Sequence, residues 1–241
     1  MSFGLLQVDN TSLVKENLAA RLYREILEGR IAPGERIVEG KWARELGVAQ
    51  TSIREAINIL VSQGFVQKGH GRSARVVKLS EEDVVQVYQV QAALESTAAR
   101  LVVERRTDLT ILIDAVAALR TALQGDDLAP IIESALHFHL TLCESSGNPF
   151  LAEQFRRLAI PLYAFTLMRA VAQGVSKHPW HNSLALFERM MDALASGDPF
   201  FAERYVLQTI QRFARQACEI WAHELTAPER ITALRRRPAR S

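Results

Sequence analysis

The chain has 241 residues, 48% of them hydrophobic and 23% charged, with a formal net charge of +2. That length holds two domains with cores of their own, and no apolar run is long enough to span a bilayer. Cys143 and Cys218 make neither a disulfide framework nor a zinc pattern, and there is no phosphate loop, dinucleotide fingerprint, nucleophile elbow or HExxH to suggest an enzyme. The start of the chain lacks the basic-then-apolar pattern of a signal peptide, so a cytoplasmic protein without membrane association or cofactor is expected.

In chain order, Val14, Leu18, Leu22 and Ile26 form a helical stripe that ends at Gly29, ahead of Pro33-Gly34. A short amphipathic segment around Lys41 to Leu46 stops at Gly47-Val48, where glycine tolerates the positive φ that redirects a chain. The next segment places Ile53, Ala56, Ile57, Leu60 and Val61 on one helical face, leaving Thr51, Arg54, Glu55 and Asn58 on the other. Ser52 and Glu55 have capping-box spacing, with Thr51 and Ala49 as alternative cap positions. Beyond Gly64, the β-prone runs Phe65 to Lys68 and Ala74 to Val77 flank Gly69-His70-Gly71-Arg72, which predicts a hairpin with a basic tip.

Helix, turn, helix and basic hairpin in this order predict a winged helix-turn-helix, whose second helix offers its polar face to a major groove. His70 and Arg72 are placed to meet phosphates or a minor groove. Residues 1–78 hold 12 Lys and Arg against 8 Asp and Glu, whereas residues 79–241 hold 17 against 19, so the basic excess lies where phosphates would need it. A winged helix used only for protein contact is the competing reading.

From Ser80 the β signals cease. Ser80-Glu81-Glu82-Asp83 opens a helix that reaches about Arg106, and helices follow over Asp108 to Leu123, Pro130 to Ser145, Pro149 to Ala172, His181 to Ala195 and Pro199 to His223. Breaks fall at Ser146-Gly147-Asn148-Pro149 and Ser196-Gly197-Asp198-Pro199, among others. The expected fold is therefore mostly α: a winged helix-turn-helix over residues 1–78, an all-helical antiparallel bundle over 79–225, and a basic, disordered tail over 226–241 carrying Arg235 to Arg237 and Arg240.

On Pro33-Gly34-Glu35-Arg36 through Leu60, on Tyr88 through Glu95, on Phe138-His139 and on the two Ser-Gly-Asx turns, the chain resembles the GntR family of transcription regulators, in the FadR-like branch with an FCD effector domain. The resemblance runs from about Leu13 to about Trp221. It implies a homodimer, a repressor by expectation, that binds a palindromic double-stranded DNA operator and responds to a small-molecule effector, often a carboxylic acid, in the helical domain. It also implies DNA-binding roles for Thr51, Ser52, Arg54, His70, Gly71 and Arg72, to which the helical pattern and local charge add Arg36, Gln50 and Asn58.

Two departures in that half matter: Gly40 stands where relatives often carry a guanine-reading Arg, and Ala49-Gln50 replaces Ser-Arg or Thr-Arg. Because Gln suits an adenine edge and Arg suits guanine, a divergent operator is expected.

The resemblance also implies a divalent metal held by an Asp and three His. Here those positions read Ala135, His139, Phe187 and Thr209, so no metal is expected. The alternative is a relocated site drawing on His137, His139, His178 and His181. Helical spacing points His139 inward with Ile132, Leu136 and Cys143, and sets His137 on a polar face with Glu133, Thr141 and Glu144.

An Arg that engages acidic ligands in relatives is Gln91 here, so Gln91, His139, Phe187 and Thr209 are the effector-site candidates and a neutral, aromatic or apolar effector is expected. Phe187, Met190 and Met191 either line such a site or fill it. The competing functions are a ligand-unresponsive DNA-binding or interaction protein, and a metal-dependent helical-bundle enzyme.

Overall fold

A computed structural model describes residues 10–69, 73–174 and 178–222. His70, Gly71, Arg72 and the basic tail lie outside the described residues, as do the side chains of His178, His181 and Cys218.

Helix α1 (Asn10–Leu27) starts earlier than its apolar stripe suggests. Leu22 and Ile26 are buried as expected, but Val14 is 49% exposed, because only the later turns of the helix lie over the domain core. A two-residue strand, β1 (Arg36–Ile37), precedes α2 (Glu39–Leu46) and α3 (Gln50–Ser62). Gly47 closes α2 at φ 65°, and its N–H reaches the Ala43 carbonyl. Ile53, Ala56, Ile57 and Leu60 point α3 inward as the spacing predicts.

Ala49 holds the N-cap position of α3 and makes no side-chain cap bond, so the capping box suggested by Ser52 and Glu55 does not form. The wing follows as β2 (Val66–Lys68) and β3 (Ala74–Val76), paired antiparallel with Val66 opposite Val76. β1 adds to the other edge of β3, with Arg36 opposite Arg75, giving the order β1-β3-β2. So short a strand gives no alternation to read, and the sequence did not reveal β1.

The helical half comprises α4 (Glu81–Glu104), α5 (Thr110–Ala122), α6 (Leu128–Ser145), α7 (Pro149–Gln173), α8 (His178–Ala195) and α9 (Pro199–Ala222). No strand follows residue 78 among the described residues. Ser80 and Asp83 form a reciprocal capping box that fixes the start of α4. The turns before α7 and α9 share one device: Gly147 (φ 65°) and Gly197 (φ 77°) end the preceding helices, and the next residue, Asn148 or Asp198, accepts N–H groups from the new first turn. α4 packs along α9, and an Arg100–Glu203 ion pair at 3.6 Å joins the end of one to the start of the other, so the two run antiparallel.

Two hydrophobic clusters divide the interior. One joins Leu22, Ile26, Ile53, Ile57, Leu60, Phe65 and Val76 to Leu162, Phe165, Leu167 and Met168 of α7. The other joins Ala98, Leu119, Phe138, Leu142, Phe155, Phe187, Met190 and Val206 within the bundle. Burying each large side chain contributes about 1.5–3 kcal/mol, so neither half is held by polar contacts alone.

α7, like α4 and α6, contributes to both clusters, and it contains Pro161, whose missing N–H and bulky ring interrupt the backbone ladder where the helix passes from one cluster to the other. Beside it Gly64 presses on Ile160: a Cβ at Gly64 would lie 2.6 Å from Ile160 Cγ2 and 2.7 Å from its carbonyl oxygen.

Candidate nucleic-acid interface and effector site

The outward side of α3 carries Gln50, Thr51, Arg54, Glu55 and Asn58, all exposed, with Ser52 half-buried. Glu39, in the first turn of α2, organises this face. Its carboxylate accepts from Arg54 Nη2 at 2.8 Å, from Arg54 Nε at 3.1 Å and from Gln50 Nε2 at 3.2 Å. Hydrogen bonding to Arg54 holds the Glu39 carboxyl below its usual range, with Gln50 adding to the effect against the opposing pull of partial burial. Two side chains that sequence spacing places on one face are thereby fixed relative to each other, although exposed ion pairs add little stability.

At the other end of α3, Lys68 on β2 donates to Asn58 Oδ1 at 2.7 Å, tying wing to helix. Arg36, on the edge strand β1, is exposed on the sheet rather than on α3. Glu39 and Lys68 were missed as site residues because their partners are 15 and 10 positions away in sequence, outside any helical repeat.

Inside the bundle, Gln91, His139, Phe187 and Thr209 are all buried, at 1%, 2%, 3% and 5% exposure. The sequence reading missed the partner of His139: Glu95, one turn beyond Gln91 on α4, sits 2.5 Å from His139 Nδ1, and both side chains are sealed from solvent. Burial pushes the Glu95 carboxyl above its usual range, opposed by the attraction of His139.

Around the imidazole stand the rings of Phe187 at 5.2 Å, Phe138 at 5.7 Å, Tyr163 at 5.9 Å and Phe213 at 6.0 Å. Desolvation raises the Tyr163 phenol well above its ordinary range. The Gln91 amide nitrogen and oxygen are both buried without a hydrogen-bond partner. Thr209 donates to the Tyr205 carbonyl at 2.9 Å, an ordinary intrahelical bond. Met190 is fully buried, and with Phe187 it belongs to the bundle core. Thr141, expected on a polar face with His137, is 4% exposed, because α5, α7 and α4 all pack on α6 and leave it little solvent face.

The donor set does not fit a divalent ion. Ala135, Phe187 and Thr209 offer no imidazole or carboxylate, Nδ1 of His139 is committed to Glu95, and the described residues contain no group of three His, Cys, Asp or Glu that could hold a metal. No described helix is long and apolar enough to cross a membrane.

A winged helix-turn-helix joined to a helical bundle with a buried polar cluster is the build of a DNA-binding regulator with a sensing domain. The chain belongs to the GntR family of bacterial regulatory proteins and carries an FCD domain: the GntR pattern matches residues 14–76 and the FCD pattern residues 86–212. It is therefore a transcription regulator and not an enzyme.

It is 27% identical over 180 residues to a probable D-xylose utilization operon transcriptional repressor of Paenarthrobacter nicotinovorans, covering 74% of this chain and 77% of that one. It is also 27% identical over 220 residues to the transcriptional repressor NanR of Citrobacter rodentium, covering 83% and 81%. Among solved structures, E. coli McbR/YncC superposes with a TM-score of 0.63 at 21% identity over 89% of this chain and all of that one, a likeness of fold.

Proposed function

We propose that this regulator binds a two-fold symmetric operator as a homodimer, represses transcription, and lets go when a small molecule enters the helical domain. The observation that carries the reading is the exposed face of α3, where Glu39 sets the posture of Gln50 and Arg54 and the wing holds Asn58 through Lys68. In this reading Gln50, Thr51, Ser52, Arg54 and Asn58 meet base edges and nearby phosphates, while Arg36, His70, Gly71 and Arg72 meet the flanking backbone. The repressor names of two relatives favour repression.

The functional division falls at residue 78, with effector binding and dimerisation in 79–225. The transmitting element is α7, since Tyr163 faces His139 while the same helix seats Gly64 through Ile160. A shift of α7 on ligand binding changes the spacing between paired recognition helices, a two-state mechanism.

Charge reversal at Arg54 together with Arg72 is expected to abolish duplex binding in a fluorescence-anisotropy titration, and wild-type affinity is expected to fall steeply with added salt. Intact duplex affinity in that double variant refutes the assignment.

A further inference from the structure

We infer that the cluster of Gln91, Glu95 and His139 selects an uncharged, planar carboxamide or lactam and excludes carboxylates. The inference rests on the reading of the helical domain as an effector site and gives that effector a chemical class.

Three observations converge. The first is charge. Among the described residues no Lys or Arg is buried, and the cluster's ionisable groups are the Glu95 carboxyl and the His139 imidazole, 2.5 Å apart. Their sum is zero when a proton is shared and negative when it is not. An incoming carboxylate therefore meets a fixed acid with no spare cation, and must give up its hydration without compensation.

The second is the Gln91 amide, whose N–H and C=O groups are both sealed from water and unpaired. A buried donor and acceptor on one planar group are matched by a ligand that offers an acceptor and a donor side by side, as a primary carboxamide or the cis amide of a lactam does. A carboxylate accepts only, and leaves the Gln91 oxygen unsatisfied.

The third is shape. Phe138, Phe187 and Phe213 stand about the imidazole with Phe187 5.1–5.3 Å from the other two phenyl rings, and Tyr163 completes the aromatic wall. Such rings offer a flat guest the offset-stacked and edge-to-face contacts that aromatic groups prefer. Phe187 is thereby both part of that wall and part of the bundle core.

The experiment uses the full chain with two uncharged probes, benzamide and 2-pyridone, and benzoate as the anionic counterpart of benzamide. Thermal-shift titration and calorimetry are run into the low millimolar range. The uncharged pair is expected to raise the Tm, with benzoate at least tenfold weaker.

Gln91→Leu is expected to raise the Tm of the free protein, by removing unpaired polar atoms, while losing at least tenfold in benzamide affinity. A merely structural Gln91 would not give that opposite movement of stability and affinity. Benzoate binding as well as or better than benzamide overturns the inference and leaves the effector-site reading standing. Absence of binding by all three overturns it too. If benzamide binds but the double variant at Arg54 and Arg72 keeps its duplex affinity, the inference stands and the proposed DNA contacts fall.

Discussion

Gly64→Ala tests how the DNA-binding half is seated on the helical half. Gly64 has φ +78°, and an added Cβ would lie 2.6 Å from Ile160 Cγ2, 2.7 Å from its oxygen and 2.8 Å from its carbonyl carbon. Two of those atoms are helix backbone next to Pro161 and cannot swing aside. Left-handed backbone costs an L-residue about 1–2 kcal/mol. Forcing a methyl into a packed contact typically adds about 1–3 kcal/mol.

Gly47→Ala is the matched control: φ is +65°, and nothing lies within 4 Å of its added Cβ, so only the strain remains. The gain from stiffening the unfolded chain is common to both and cancels. Urea unfolding should therefore show Gly64→Ala less stable than Gly47→Ala by about 1–3 kcal/mol. Calorimetry should show the variant's two halves melting apart as the DNA-binding half lifts from α7. Equal losses, within about 0.5 kcal/mol, would refute the close seating of Gly64 on Ile160.

Three further outcomes are expected. His139→Ala strands the Glu95 carboxyl in the bundle and should cost roughly 3–5 kcal/mol; in a Glu95→Gln background the same substitution should cost markedly less, and an additive double-mutant cycle would contradict the pairing. Glu95 and Glu25 should bend stability against pH in opposite senses. Burial raises the Glu95 carboxyl in the folded state, so its penalty grows as pH climbs above the unfolded value of about 4.3, and Glu95→Gln should gain on wild type over that range. Hydrogen bonds from Arg30, with help from Arg21, lower the Glu25 carboxyl, so its stabilisation is full above about 4.3 and is lost as pH falls further; Glu25→Gln should trail wild type at neutral pH and converge with it in acid, as melting curves across pH would reveal. Finally, Gly40→Arg with Gln50→Arg should move the preferred half-site toward guanine in a binding selection; a Cβ at Gly40 would meet only the Arg44 guanidinium at 3.9 Å, an ordinary contact, and an unchanged site would count against these positions as base readers.

The sequence by itself determined most of the local architecture, because the longer elements announced their periodicity within a few neighbouring residues. The apolar face of α3, the Gly47 turn, the hairpin after Gly64, the Ser80 cap and the paired Ser-Gly-Asx turns are short-range physics. The inward aim of His139 was also legible there, since helical spacing suffices for it.

What required tertiary structure were the meetings of residues far apart in the chain. Glu39 with Arg54, Lys68 with Asn58, Glu95 with His139 across 44 positions, β1 on β3 and Gly64 on Ile160 all depend on how completed elements pack. No periodicity encodes such pairs. They arise only once helices with settled faces are docked, and there a buried carboxylate finds its partner or an amide such as Gln91 is left without one.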